Sequence, residues 1–180
     1  RFIGKILGEL TWIVVPKKRK QMPIHNIERC LKVSTDKAEQ IAKKSWTRFG
    51  PMIMEVLRFK VICKNIDKYV TIKGEENIKK AMFYGNGGVI ATAHSGNWEI
   101  IGAALTHKGM KIAGVAQHQR NEGVNNFINY CRAFTGMHIT DKLDIKEMMK
   151  MLGQKYFIGL IMDQDGGSTG IIMPFLGYEA

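Results

Sequence analysis

From residue 69 onward, the sequence alternates short β-branched runs with segments of helical periodicity, and no other feature constrains the fold as strongly. The pattern predicts strands at 69–73, 89–93, 111–116, 137–140, 156–162 and 171–175, with helices at 75–83, 97–107, 124–134 and 145–152. Strands that alternate with helices pair in parallel and carry the helices on the faces of the sheet. We therefore predict an α/β fold with a mostly parallel sheet flanked by helices.

One predicted strand, 89–93, runs directly into a polar loop and then a helix. Residues just past the carboxyl end of a strand are where ligands bind in such sheets. His94 and Glu99 lie five positions apart and can converge across this strand–loop–helix corner. An imidazole held by a carboxylate acts as a general base near neutral pH. The same spacing fits a structural histidine beside a helix-capping glutamate, so spacing alone leaves both interpretations open.

Acidic and basic side chains mark two further candidate positions. Asp163, Gln164 and Asp165 follow the predicted strand 156–162, either as a loop that supports a base or binds a polar substrate, or as an exposed turn. Arg120 and Arg132 flank the predicted helix 124–134. Either arginine can hold a phosphate or carboxylate, pair with the two acids, or remain exposed without a role. The acids offer no clear set of ligands, so we predict no metal site.

The amino-terminal segment has a different character. Seven apolar side chains between residues 2 and 14 fall in one helical sector roughly 140° wide. Pro16 ends that pattern, and the basic segment 17–20 follows at once. This arrangement favours a helix lying in an anionic membrane interface, with a first core helix as the alternative. Residues 24–62 are predicted to be mainly helical, with a kink or break at Gly50-Pro51.

Composition and missing motifs exclude several classes of function. The net charge of +11 favours phosphate-bearing partners. The basic residues are spread along the chain without a nucleic-acid-binding signature, so we expect no nucleic-acid partner. Three scattered cysteines indicate reduced, packed thiols rather than a zinc site. Dinucleotide, P-loop, serine-hydrolase and zinc-protease motifs are missing, which favours direct transfer to an activated hydroxyl.

The segment His94-Ser95-Gly96-Asn97-Trp98-Glu99 resembles the signature of the bacterial lipid A biosynthesis (lauroyl/myristoyl) acyltransferases, within the wider H-x4-D/E glycerolipid acyltransferase group. The resemblance covers nearly the whole chain, and similar segments are Asn26–Cys30, Arg132 with Gly136, Asp163-Gln164 and Pro174–Gly177. The family usually has Asn-Pro where this chain has Arg120-Asn121-Glu122.

This resemblance implies transfer of a fatty acyl group from acyl carrier protein to a hydroxyl of a lipid A precursor. His94 would be the general base and Glu99 would orient it. The backbone around Gly96 and the Asn97 amide would stabilise the oxyanion, with Arg132 and Asp163 as a supporting pair. The acyl thioester is a co-substrate, and we expect no bound metal or prosthetic group.

The resemblance also implies a location and a domain organisation. We expect the cytoplasmic face of the inner membrane, with acyl carrier protein, a phosphorylated glycolipid and the anionic membrane as partners. Residues 1–20 form the interfacial segment and 21–180 the acyltransferase domain, in a fragment truncated at both ends and lacking an upstream anchor. The alternatives are an acyl-CoA-dependent enzyme acting on a glycerophospholipid or glycolipid, and a non-catalytic basic module that binds membrane or nucleic acid.

Overall fold

A computed structural model describes residues 2–164 and 170–179. In chain order the helices are α1 (Phe2–Val14), α2 (Lys17–Leu31), α3 (Thr35–Thr47), α4 (Phe49–Leu57), α5 (Phe59–Lys64), α6 (Ile66–Tyr69), α7 (Glu75–Phe83), α8 (Trp98–His107), α9 (Glu122–Ala133) and α10 (Ile145–Gly153). The strands are β1 (Gly88–Thr92), β2 (Ile112–Ala116), β3 (His138–Asp141), β4 (Phe157–Ile161), β5 (Pro174–Phe175) and β6 (Tyr178–Glu179). The chain forms two compact units, one of residues 58–163 and one of residues 1–57 with 164–180.

In the helical unit, α1 packs through glycines against α4 and against the end of α3. A Cβ atom on Gly50 of α4 would collide with the carbonyl oxygen of Gly4, and one on Gly8 would collide with that of Thr47, the last residue of α3. The backbones can approach this closely only because these positions lack side chains. Trp12 is also buried and contacts the edge of Trp46, with the ring centroids 6.3 Å apart.

This packing leaves the apolar stripe of α1 on the surface. The stripe consists of seven side chains that are each 43% to 78% exposed: Phe2, Ile3, Ile6, Leu7, Leu10, Ile13 and Val14. They are therefore not the core face of a first helix. Among the residues that the structure describes, no helix combines the length and apolar character needed to cross a membrane.

The other unit contains a four-stranded parallel sheet in the order β1-β4-β2-β3. Helices α8, α9 and α10 connect its strands, and two buried clusters lie against the sheet. One cluster is centred on Ile112 and Phe157, and the other on Ala113 and Ile158. The predicted α/β fold with a mostly parallel sheet flanked by helices is confirmed.

The break predicted at Gly50-Pro51 occurs two residues earlier, at Arg48. Helix α3 ends at Thr47, and α4 begins at Phe49. Pro51 then lies in the first turn of α4, where the amide hydrogen that proline lacks has no partner within the helix.

Two predicted strands are wrong. Residues 69–73 form no strand, because Tyr69 ends the short helix α6, which Ile66 anchors in the core. The predicted strand 171–175 is reduced to β5, which pairs with β6 as an antiparallel hairpin. Leu176 and Gly177, between these two strands, both have positive φ angles, as the tight turn of a two-residue hairpin requires.

Candidate active site

The sheet brings His94 and Asp163 together. Strands β1 and β4 are parallel neighbours in which Thr92 lies opposite Ile161, and His94 and Asp163 each follow two residues later. The backbone pairing continues beyond the strands, since the Met162 amide donates to the Thr92 carbonyl oxygen over 2.9 Å. The two side chains therefore meet at the carboxyl edge of the sheet.

The carboxylate of Asp163 holds His94 at two points. His94 Nδ1 lies 2.7 Å from Asp163 Oδ1, and the His94 backbone N–H donates to Oδ2 over 2.9 Å. Partial burial of the Asp163 carboxyl opposes ionisation, but the hydrogen bonds from His94 outweigh it and lower the pKa of Asp163 below its ordinary value. A carboxylate only accepts hydrogen bonds, so Nδ1 carries the proton and Nε2 presents a lone pair. This arrangement suits His94 to accept a proton at Nε2.

Trp98 packs against the ring of His94 from the first turn of α8. The two ring centroids lie 4.8 Å apart, at an interplanar angle of 77°. Together with Asp163, this contact fixes the plane of the imidazole. Sequence reasoning assigned Trp98 no role, although its position within the His94–Glu99 segment is a signal that could have found it.

Glu99 is paired with Arg132. Arg132 Nε donates to Glu99 Oε2 over 2.9 Å and Nη2 donates to Oε1 over 2.6 Å. The two side chains are only 19% and 17% exposed. Glu99 lies in the first turn of α8 and Arg132 in the last turn of α9, positions at which the helix dipoles favour these charges. The pair joins the two helices beside the His94 loop.

The structure therefore pairs these four side chains differently from the sequence prediction. Glu99 was expected to orient His94, and Arg132 to pair with Asp163. Within residues 2–164 and 170–179, no hydrogen bond joins His94 to Glu99 or Arg132 to Asp163. The reason is the strand order, which places the end of β4 directly beside the end of β1 and so gives His94 the carboxylate of Asp163. Glu99, on the helix after the loop, meets α9 instead.

The remaining predicted site residues occupy several positions. Gly96 has a φ of +67° at an exposed bend of the loop, and Asn97 is the N-cap residue of α8. Arg120 lies past the end of β2, in a loop that lines a cavity. Gln164 is exposed and directly follows Asp163, whereas Asp165 lies outside the described residues.

The cysteines and acids show no sign of a metal centre in the part of the chain that the structure describes. There, no group of three or more His, Cys, Asp and Glu side chains is placed to hold a metal ion. Cys30, Cys63 and Cys131 are not joined in disulfides. Burial raises the pKa of both Cys63 and Cys131, which favours their protonated form.

Comparisons with known proteins bear on the whole chain. A family model described as bacterial lipid A biosynthesis acyltransferase matches residues 1–180. The matched range therefore includes the His94–Asp163 and Glu99–Arg132 pairs. The chain matched none of the curated proteins with which it was compared.

Proposed function

Since the chain belongs to the bacterial lipid A biosynthesis acyltransferase family and is therefore an acyltransferase, we propose that it transfers a fatty acyl group from acyl carrier protein to a hydroxyl of a lipid A precursor. His94 is the general base of this proposal. The observation that carries it is the 2.7 Å contact between His94 Nδ1 and Asp163 Oδ1, which directs the lone pair of Nε2 away from the carboxylate.

The chemical steps follow from this tautomer. His94 Nε2 accepts the proton of the acceptor hydroxyl while the oxygen attacks the thioester carbonyl carbon. The carbon–sulfur bond then breaks, and the imidazolium returns its proton to the departing thiolate. Asp163 remains ionised and stabilises the positive charge of the ring between the two proton transfers. Asp163 thus takes the role that the sequence prediction gave to Glu99.

The tetrahedral intermediate needs hydrogen-bond donors at its oxyanion. The Ser95 N–H is engaged by the carbonyl oxygen of Ala93 over 2.7 Å. The next amide, that of Gly96, has no hydrogen bond to any residue of the described ranges and lies where the loop is open. We assign the oxyanion contact to the Gly96 N–H, with the Asn97 side chain beside it.

Glu99 and Arg132 act by positioning in this proposal. Their bidentate pair holds the start of α8 against the end of α9, and the His94 loop leads directly into α8. A general base displaced by about 1 Å loses much of its efficiency, so a rigid support beneath the loop matters for rate.

Two features of the helical unit favour a reaction at an anionic membrane surface. The apolar stripe of α1 is exposed, and Lys20 of the basic segment lies with its Nζ 4.8 Å from the centroid of the Trp12 ring. An amphipathic helix beside lysines and an arginine binds anionic lipid through both burial and charge. The same positive charge suits an acidic carrier protein and a phosphorylated glycolipid. We place the reaction at the cytoplasmic face of the inner membrane.

An acyl-transfer assay tests the proposal. The protein is incubated with membranes, labelled acyl carrier protein and a lipid A precursor, and wild type is compared with His94→Ala and Asp163→Asn. We expect a loss of about a hundredfold or more for His94→Ala, the range for removing a general base. Asp163→Asn should also lower the rate, because the ring of His94 loses the carboxylate that fixes its tautomer and stabilises its charge.

His25→Ala is the matched control, since His25 is an exposed histidine of α2. It should transfer acyl groups at the wild-type rate. A His94→Ala variant as active as wild type would show that His94 is structural. Transfer from acyl-CoA but not from acyl carrier protein would contradict the donor, and transfer from neither would contradict the proposed reaction.

A further inference from the structure

A cavity of about 460 Å³ opens at the carboxyl end of β2, and its residues come from the following loop and the first turn of α9. It is lined by Gln117, His118, Gln119, Arg120, Asn121 and Val124. Strand β4, which leads to Asp163, lies between β1 and β2, so the cavity is at the same edge of the sheet as His94. Two strand spacings separate β1 from β2, about 10 Å.

The loop around the cavity is held by the protein's own hydrogen bonds. The Gln119 N–H donates to Oδ1 of the buried Asn125 over 3.1 Å, and Lys142 Nζ donates to Gln117 Oε1 over 3.2 Å. Asn121 Oδ1 accepts from the Val124 N–H and so caps α9. These contacts hold the loop in place without a ligand, and all six lining residues are exposed, so the cavity is open to solvent.

The guanidinium of Arg120 takes no part in these contacts. It makes no hydrogen bond or ion pair with any residue of the ranges 2–164 and 170–179. The nearest charge contact in the loop joins His118 Nε2 to Glu122 Oε1 at 3.7 Å, and both side chains are mostly exposed. An exposed arginine in a loop that other hydrogen bonds hold in place is suited to bind a phosphate through two parallel N–H donors.

The two arginines that flank α9 differ in how many of their N–H donors already have a partner. Arg132 already uses its Nε and Nη2 in a two-point contact with Glu99 and is only 17% exposed. Arg120 retains its full set of donors. Of the two candidates that the sequence offers for phosphate binding, Arg120 is therefore the better placed.

We propose that this cavity binds a phosphate group of a substrate, with Arg120 as the principal contact and His118 beside it. The proposal rests on the proposed function, in which two substrates carry phosphate. The acceptor is a phosphorylated glycolipid, and the acyl carrier holds its acyl chain on an arm attached through a phosphate. The contact would hold the phosphate of one substrate at the end of β2, two strand spacings (about 10 Å) from β1, the strand that leads to His94.

Steady-state kinetics of Arg120→Ala test this site and identify the substrate. We expect the KM for one substrate to rise by about tenfold to a hundredfold, the range for a lost hydrogen bond to a charged group, with kcat within about twofold of wild type. The KM of Arg120→Lys should lie between the values for wild type and Arg120→Ala, because lysine keeps the positive charge but cannot make the two-point contact. Lys146→Ala removes one positive charge from exposed α10 and should leave both KM values unchanged.

Dephosphorylated substrates distinguish the two sources. If the bound phosphate belongs to the acceptor, the dephosphorylated acceptor should have a higher KM with wild type. Arg120→Ala should then raise the KM for this dephosphorylated acceptor no further. If it belongs to the donor, the same pattern appears with acyl-pantetheine in place of the phosphate-bearing carrier. The proposal is overturned if Arg120→Ala matches Lys146→Ala for both substrates, or if its defect persists with both dephosphorylated substrates.

A binding measurement separates this proposal from the proposed reaction. Glucosamine 1-phosphate is titrated into wild type and Arg120→Ala while the amide resonances of Gly123 and Val124 are followed by NMR. We expect saturable shifts in wild type only, whether or not acyl transfer is detected. Equal shifts in the two proteins, or none in either, would overturn the site, whereas a site that binds phosphate without acyl transfer would overturn only the proposed reaction.

Discussion

The carboxylate of Asp163 accepts two hydrogen bonds from His94. Partial burial opposes ionisation, but those bonds outweigh it and lower the pKa of Asp163. A carboxyl group whose pKa is lowered on folding adds stability above its unfolded pKa of about 4 and loses that contribution as the pH falls through the folded value.

Asp163→Asn should therefore be less stable than wild type at pH 7, by about 1 kcal/mol for a charge-assisted contact that is partly open to solvent. Below pH 4 the difference should shrink, since wild type then protonates the same group. Urea unfolding at pH 7, 4 and 3 measures both values. Glu39→Gln, at an exposed position of α3 beyond its first turn, is the control. A difference that stays constant with pH would contradict the ionic origin of the effect.

If His94 is the general base that we propose, Trp98 should affect the rate through the orientation of the His94 ring. The edge-to-face contact at 4.8 Å is worth roughly 0.5–1.5 kcal/mol beyond simple burial. Trp98→Leu should therefore lower kcat by about threefold to tenfold and leave both KM values near wild type. Trp98→Phe, which keeps an aromatic ring, should recover most of the loss. If Phe and Leu lower kcat equally, the ring contact does not position His94.

At the scale of elements, the Glu99–Arg132 pair joins α8 to α9. The pair is mostly buried, so removing one partner leaves the other charge without compensation. Arg132→Ala should lower the free energy of unfolding by about 3 kcal/mol. The double variant Glu99→Gln, Arg132→Met should be less destabilised than the sum of its two single changes. A double-mutant cycle by urea unfolding measures this coupling, and strict additivity would show that the two helices are joined in another way.

The close packing of α1 against the end of α3 depends on glycine. Gly8→Ala should destabilise the protein by about 1–3 kcal/mol, because the new methyl group overlaps the Thr47 backbone and the helices must separate. Lys5→Ala, at an exposed position of the same helix, should be near neutral, since alanine is a strong helix former. Thermal unfolding of the two variants compares the effects. A Gly8→Ala variant as stable as wild type would contradict this close packing.

Across the whole chain, the sequence predicts those structural features that depend on the local periodicity of apolar residues. The helix at Glu75–Phe83 and the class of the sheet follow from patterns of apolar and β-branched residues. The strand order does not, because a crossover connection can place β4 on either side of β2. Without that order, Asp163 cannot be matched to His94. The exchange of partners with Glu99 and Arg132 is the consequence: each residue was identified, but its pairing depended on contacts distant in sequence.

At the scale of the whole molecule, the apolar stripe of α1 and the basic segment 17–20 together predict that the protein binds membranes. We expect the protein to bind vesicles containing anionic phospholipid, more weakly in high salt and more weakly still to neutral vesicles. Ile3→Asp with Ile13→Asp should reduce binding by at least tenfold, because both side chains lie on the exposed stripe.

Phe83→Asp is the control for this experiment. Phe83 is 88% exposed on α7, away from the stripe in sequence, so its change adds a carboxylate and removes apolar surface without touching α1. Vesicle sedimentation should show the control bound like wild type. If it loses as much affinity as the α1 variant, binding reflects overall charge and apolar surface. If the α1 variant binds like wild type, the exposed stripe serves something other than lipid.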